Sequence, residues 1–121
     1  MALGKTVPIL RMFDEAKAKE FYVEFLGFAV DWEHRFEDGA PLYMQVSKDK
    51  CVIHLSEHHG DASPGAAIRI EATELDAFQR QLAGYKYKYA RPGAPQETPW
   101  GTRELVIRDP FGNRLVFSDR A

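Results

Sequence analysis

The sequence predicts an α+β domain built from two tandem βαβββ modules, on the strength of three features. Thr6 to Asp14 is a short, mostly apolar run that leads into an apolar-periodic segment ending at Leu26. Ala66 to Thr73 leads in the same way into a segment ending at Leu82. Each unit is followed by β-like runs separated by Gly, Asp and Pro punctuation. A duplicated, half-buried sheet can curl against its copy and leave a concavity, which is a natural ligand site.

Val7 to Met12 reads as the first strand and stops near Asp14, a good helix N-cap. Ala18, Phe21, Tyr22 and Phe25 recur at i, i+3, i+4 and i+7, which gives the helix one apolar stripe and leaves Glu15, Lys19 and Glu20 to water. Gly27 terminates it. Phe28 to Phe36 is the second strand, Asp38-Gly39 a tight hairpin turn, and Leu42 to Val46 the returning strand. Lys48-Asp49-Lys50 turns the chain into a fourth strand, Cys51 to Leu55. Module one covers about residues 5–57, with 58–65 a linker and about 66–119 module two.

Module two repeats the order. Ala67 to Glu71 is a strand, Thr73 an N-cap, and Leu75, Phe78 and Leu82 the apolar face of a helix closed by Gly84. Tyr85 to Ala90 alternates aromatic and Lys as a half-exposed strand does, and Arg91 to Gly101 is a Pro- and Gly-rich loop. Glu104 to Arg108 and Arg114 to Ser118 form a hairpin around the turn Asp109-Pro110-Phe111-Gly112-Asn113.

With 121 residues, 45% hydrophobic and 28% charged, the chain fits a single domain, so the two modules share it. A net charge of -2 supplies no basic field for a nucleic-acid backbone or an anionic membrane. Cys51 is the single cysteine and reads as a buried strand thiol beside Val52 and Ile53. No apolar run reaches membrane-spanning length and the N-terminus lacks a signal-peptide pattern, so the cytoplasm is the expected location.

Strand alternation also assigns faces. Val7, Ile9 and Arg11 share one side, as do Ala67, Arg69 and Glu71, and again Arg114, Val116 and Ser118. The opposite positions, including Leu10, Met12, Ile68, Ile70, Leu115 and Phe117, pack on the helices. The concave side is then a mixture of small apolar residues with Arg11, Arg69, Glu71 and Arg114, suited to an organic molecule with polar groups. Glu71 is read as the one carboxylate there, and an ion pair with a neighbouring Arg is its plainest role.

Two motifs carry a resemblance to a known family. Phe21-Tyr22-Val23-Glu24-Phe25-Leu26-Gly27-Phe28 resembles the "FYxxxLGF" helix end, and Arg108-Asp109-Pro110-Phe111-Gly112-Asn113 the "RDPxGN" turn, of the glyoxalase/bleomycin-resistance/dioxygenase (vicinal oxygen chelate) superfamily. Pro99-Trp100-Gly101-Thr102-Arg103-Glu104 before that turn is similar to the bleomycin-resistance branch. The resemblance implies cup-shaped mixed sheets with helices outside, in a homodimer whose cavities are built from both chains. It also implies, for members that are enzymes, a divalent metal held by His, Gln or Glu at four symmetry-related strand positions. Those positions fall here at Val7, His54, Ala67 and Val116, of which only His54 can donate an electron pair.

The expectation is therefore a cytoplasmic, metal-independent homodimer that sequesters a small molecule, with a bleomycin-type antibiotic as one candidate ligand. The candidate ligand-binding residues are Trp100, Trp32, Phe36, Tyr43, Arg11, Arg69, Glu71 and His54. Trp100, in a loop with little core to fill, either stacks on a planar ligand or packs on its own loop. Trp32, with Phe36 and Tyr43 across the hairpin, is either cleft wall or core. Three arginines on the concave side favour an anionic group over a cationic drug. The alternative is an enzyme with one Zn, Ni, Mn or Fe ion held atypically by His54, Glu57 and His58.

Overall fold

The two halves of the chain build two four-stranded sheets with the same strand order. In the first sheet, β1 (Ile9–Arg11), β2 (Ala29–His34), β3 (Tyr43–Lys48) and β4 (Cys51–Ser56) lie in the order β1-β4-β3-β2. In the second, β5 (Ala67–Glu71), β6 (Gln96–Glu97), β7 (Thr102–Arg108) and β8 (Arg114–Arg120) lie in the order β5-β8-β7-β6. The outer pairs β1/β4 and β5/β8 are parallel, as the intervening helical crossovers require, and all other neighbours are antiparallel. This computed structural model describes the chain apart from Lys86, Lys88, Tyr89, Arg91 and Ala121, with Arg120 described by its backbone alone.

Each module places one helix against its sheet. The Asp14 carboxylate accepts from the Lys17 amide at 2.9 Å and so caps α1 (Glu15–Lys19). The helix then widens into a π-helical turn, Glu20–Phe25, and Ala18, Phe21, Tyr22 and Phe25 are all buried as the stripe predicts. Gly27 adopts φ +85°, the left-handed conformation that a C′ glycine supplies without a Cβ clash. In module two the ladder bond from the Ala72 amide to the Ser118 carbonyl, 2.9 Å, keeps the chain extended past the strand. The N-cap of α2 (Leu75–Gly84) is consequently Glu74, at φ 55°, and not Thr73.

The core is one cluster. Leu10, Met12, Met44, Ile53 and Leu55 from the first sheet meet Phe21, Tyr22 and Phe25, and the cluster continues through Leu75, Leu82, Leu105, Ile107, Leu115 and Phe117. Both helices and the inner face of each sheet are used up in it. The other face of each sheet is left open, with Ile9, Trp32 and Val106 exposed on it.

Two segments differ from the sequence reading. Asp38-Gly39 does form the expected tight turn, closed by a bond from the Ala40 amide to the Glu37 carbonyl, but β2 ends at His34 and β3 starts at Tyr43, so the turn sits at the tip of a wider loop over residues 35–42. The strand that pairs with β7 is Gln96–Glu97, inside the segment read as loop, because its partners Arg103 and Glu104 draw it onto the sheet edge. Part of the strand expected at Tyr85 to Ala90 lies outside the described residues. Within it, Tyr87 is buried and stacks on Phe25 at 4.7 Å, while Tyr85 meets Phe25 edge-on.

Candidate functional site

The open face of the first sheet carries an aromatic wall, put there by a bulge. Val30 pairs with Val46, a core residue, so unbroken alternation would send Trp32 to the core beside Met44. The register slips at Asp31 instead, and Trp32 pairs with Gln45. An extra residue in one strand re-aims every side chain after it. Ile9, His54, Gln45 and Trp32 thus form one transverse row across four strands on the open side.

Trp32 stacks on Tyr43 with centroids 5.9 Å apart and planes 10° off parallel, and both rings meet His54 edge-on at 5.2 Å. Beyond Tyr43 the rings continue through His58 and Phe36 to His34. Trp32 is 42% and Phe36 79% exposed, so the wall presents apolar surface to solvent. His34, read only as an exposed strand residue, joins it by its contact with Phe36.

Behind the rings runs a chain of hydrogen bonds. The Tyr43 hydroxyl lies 2.7 Å from His54 Nδ1, His54 Nε2 lies 2.9 Å from Gln45 Oε1, and Gln45 Nε2 donates to Asp31 Oδ2 at 3.0 Å. Burial lowers the His54 pKa, which favours the neutral imidazole. Donated bonds from Gln45 and then Ser47 hold Asp31 below the ordinary carboxylate range. Burial and the nearby Asp61 raise the Tyr43 phenol, so it keeps its proton.

The second sheet's open face is polar. Arg69 pairs with Glu104 and also donates to Ser118 at 3.3 Å, and the Arg69 bond holds the Glu104 carboxyl below its usual range. Glu104 pairs across to Ser118, which pairs to Glu71, so Glu71 is not the sole carboxylate on this face. Among the described residues it is Glu104, not Glu71, that neutralises Arg69, whose guanidinium reaches across β8, past Ser118, to the next strand. Glu71 stays exposed. Arg11, half-buried on β1, turns its guanidinium over the Phe13 ring at 4.6 Å and donates to the Met12 carbonyl.

Trp100 is 67% exposed at the tip of the β6–β7 hairpin, where the Thr98 amide donates to the Thr102 carbonyl at 2.8 Å. Within one chain it belongs to the second sheet and makes no ring contact with the Trp32 wall among the described residues. The fold therefore gathers Trp32, Phe36, Tyr43 and His54 on one surface and leaves Trp100, Arg69 and Glu71 on another.

The metal-ligand positions that the fold family implies do not fit an ion here. Val7, Ala67 and Val116 have no donor atoms, and both ring nitrogens of His54 are engaged by Tyr43 and Gln45. Glu57 turns away to accept from the Leu42 amide at 2.9 Å, while the His58 ring lies against Phe36. No group of three or more His, Cys, Asp or Glu residues among the described residues could hold a metal. Cys51 is half-buried, and burial raises its thiol pKa. No helix among the described residues is long and apolar enough to cross a membrane.

Two four-stranded mixed sheets of matching strand order, each backed by one helix, define the class of fold. A family model for glyoxalase superfamily proteins matches residues 1–121, and the chain belongs to that superfamily. Among solved structures, the chain is similar to the antibiotic binding protein TnmS3 from Streptomyces sp. CB03234, at 23% identity and TM-score 0.77, covering 100% of this chain and 99% of that one. It is similar at 28% identity and TM-score 0.74 to the bleomycin-binding protein of bleomycin-producing Streptomyces verticillus in complex with copper(II)-bleomycin, covering 100% and 99%. The bleomycin resistance determinant encoded on transposon Tn5 is similar at 22% identity and TM-score 0.71, covering 98% of each chain. No curated protein matches.

Proposed function

We propose that the protein is a metal-independent binder that sequesters a planar organic molecule, of the kind that bleomycin-type antibiotics contain, against the Trp32–Tyr43–His54 wall. One observation carries this reading. A bulge at Asp31 turns Trp32 out of the core and onto an open sheet face, where its exposed ring stacks parallel to the half-buried ring of Tyr43. Large exposed aromatics in a polar surround mark binding surfaces, and π-faces stack well on planar ligands. The 28% identity to a bleomycin-binding protein over the full chain supports the class of ligand.

A second copy of the chain completes the cleft in this reading. Its second sheet would bring Trp100, Arg69 and Glu71 opposite the wall, with Arg69 largely neutralised by Glu104. That pairing offsets one of the three arginines that weigh against a cationic drug. A cytoplasmic location belongs to the same proposal.

The test is titration of the purified protein with metal-free bleomycin and with a planar aromatic dye, followed by tryptophan fluorescence and by sedimentation. Saturable quenching that Trp32→Ala abolishes, in a dimer, is the expected result. Unquenched fluorescence with both compounds, or stoichiometric transition metal in protein purified without chelators, would overturn it.

A further inference from the structure

We infer that the chain Tyr43–His54–Gln45–Asp31 fixes the hydrogen-bonding polarity of the aromatic wall, so that it selects planar ligands carrying an N–H or O–H donor at their edge. The inference rests on the ligand-wall reading above and narrows its ligand class. The direction of every bond follows from one end. An ionised carboxylate only accepts, so the Gln45 amide must turn its nitrogen to Asp31, 3.0 Å away. Gln45 then offers Oε1 to His54 Nε2 at 2.9 Å, and a carbonyl oxygen can only accept, so Nε2 carries the imidazole proton. In the neutral ring Nδ1 is left a bare acceptor, and the Tyr43 hydroxyl, 2.7 Å away, donates to it.

The consequence for a ligand is specific. The hydroxyl proton of Tyr43 is committed inward, both His54 nitrogens are spent, and what Tyr43 retains toward the open side is its oxygen lone pairs. Gln45 Oε1 already accepts from His54 and Asp31 Oδ2 from Gln45, so the Tyr43 oxygen is the acceptor left for a ligand. Beside it stand the electron-rich faces of Trp32 and Tyr43. A planar molecule with an edge donor meets an acceptor there. One with only carbonyl or ether oxygens leaves the Tyr43 oxygen desolvated and unpaired, which is the costlier outcome.

The groups that face His54 support a fixed state. Tyr43 and Gln45 come from β3, Trp32 from β2, and Ile9 from β1, with Asp31 behind Gln45 and Asp61 and His58 beyond Tyr43. Asp31 and Gln45 act as positioning residues. They touch the ligand less than they set the tautomer of the ring that holds Tyr43.

Two neutral probes of equal ring area test this, 2-naphthamide as donor and methyl 2-naphthoate as acceptor, each titrated at pH 7.5 into the intact protein by NMR. The expected result is roughly tenfold tighter binding of the amide, the worth of one hydrogen bond to a committed acceptor. Tyr43→Phe keeps the ring but should erase the preference while both probes still bind. Two-bond proton–nitrogen spectra should show His54 protonated at Nε2, with that exclusivity lost in Gln45→Leu. Equal or tighter binding of the ester, or an Nδ1-protonated His54, would overturn the inference and leave the wall as a ligand site. Failure of both probes to perturb Trp32 would overturn the ligand-wall reading and this one with it.

Discussion

The Tyr22 hydroxyl donates to Asp109 Oδ2 at 2.7 Å, joining the helix of module one to the β7–β8 turn of module two across 87 residues of chain. Asp109 also accepts from the Phe111 amide, the Asn113 amide and Asn113 Nδ2, and Asn113 Nδ2 reaches the Arg11 carbonyl at 2.9 Å. Tyr22 is fully buried, and burial followed by the Asp109 charge raises its pKa well above the ordinary tyrosine value. The pair is therefore a fixed neutral-to-anionic bond that holds the two sheets in one relative position. Tyr22→Phe should lower unfolding stability by about 2 kcal/mol, since a hydrogen bond to a charged group is worth about 1.5–3 kcal/mol. Asp109→Ala, which strands several donors, should cost more. Urea melts of both variants measure the difference, and equal costs would show that the cross-module bond, not the turn's own bonds to Asp109, carries the effect.

Trp32 and Trp100 should be separable from stability. Both rings are substantially exposed, so replacing either by Ala should change unfolding free energy by less than about 1 kcal/mol. Each should nonetheless weaken ligand binding roughly tenfold, the loss of one stacked ring pair. Calorimetric binding alongside thermal melts distinguishes these outcomes. A large stability loss for Trp32→Ala with unchanged binding would make that ring structural.

Acid should act through His54. Its pKa is lowered in the folded protein, so the neutral form is favoured there over the unfolded chain. The contribution is fully present above the unfolded value of about 6.5 and is lost as pH falls from there through the folded pKa. Stability measured at pH 7.5 and pH 5 should show this loss in the parent and a smaller one in His54→Gln. Protonated Nδ1 would also donate to Tyr43 and free the hydroxyl proton toward the ligand, so the amide preference should shrink at pH 5.

Arg69→Ala should raise the Glu104 pKa toward the ordinary glutamate range, because the Arg69 bond is the largest influence holding it down. A carbon-detected NMR titration of the carboxylate reads this directly. An unmoved Glu104 would mean that Thr102 and Ser118, which also donate to it, suffice.

Added Zn or Ni should leave the thermal midpoint unchanged at stoichiometric concentration, and elemental analysis of chelator-free protein should find no bound ion. The reason is donor chemistry: His54 would have to abandon Tyr43 or Gln45 to coordinate, and three companion positions have nothing to offer. A metal-dependent rise in the midpoint that His54→Ala removes would argue for the enzyme alternative.

Local chemistry made much of this molecule legible before folding was considered. The Ala18–Phe21–Tyr22–Phe25 stripe, the Asp14 cap, the Gly27 stop and the bounds of β5 all follow from short-range periodicity and backbone preference, which neighbouring residues dictate. The inert side chains at Val7, Ala67 and Val116 are likewise a property of the sequence itself. Partnerships across strands were not legible. Whether Trp32 was core or wall turned on one slipped residue at Asp31, and the partner of Arg69 turned out to be Glu104, 35 positions away. Residues 96–97 became a strand only because β7 offered them an edge. A strand's face and partners are set by inter-strand register, a non-local quantity to which alternation within a strand is blind, and so the site's composition was written in the sequence while its geometry was decided by the sheet.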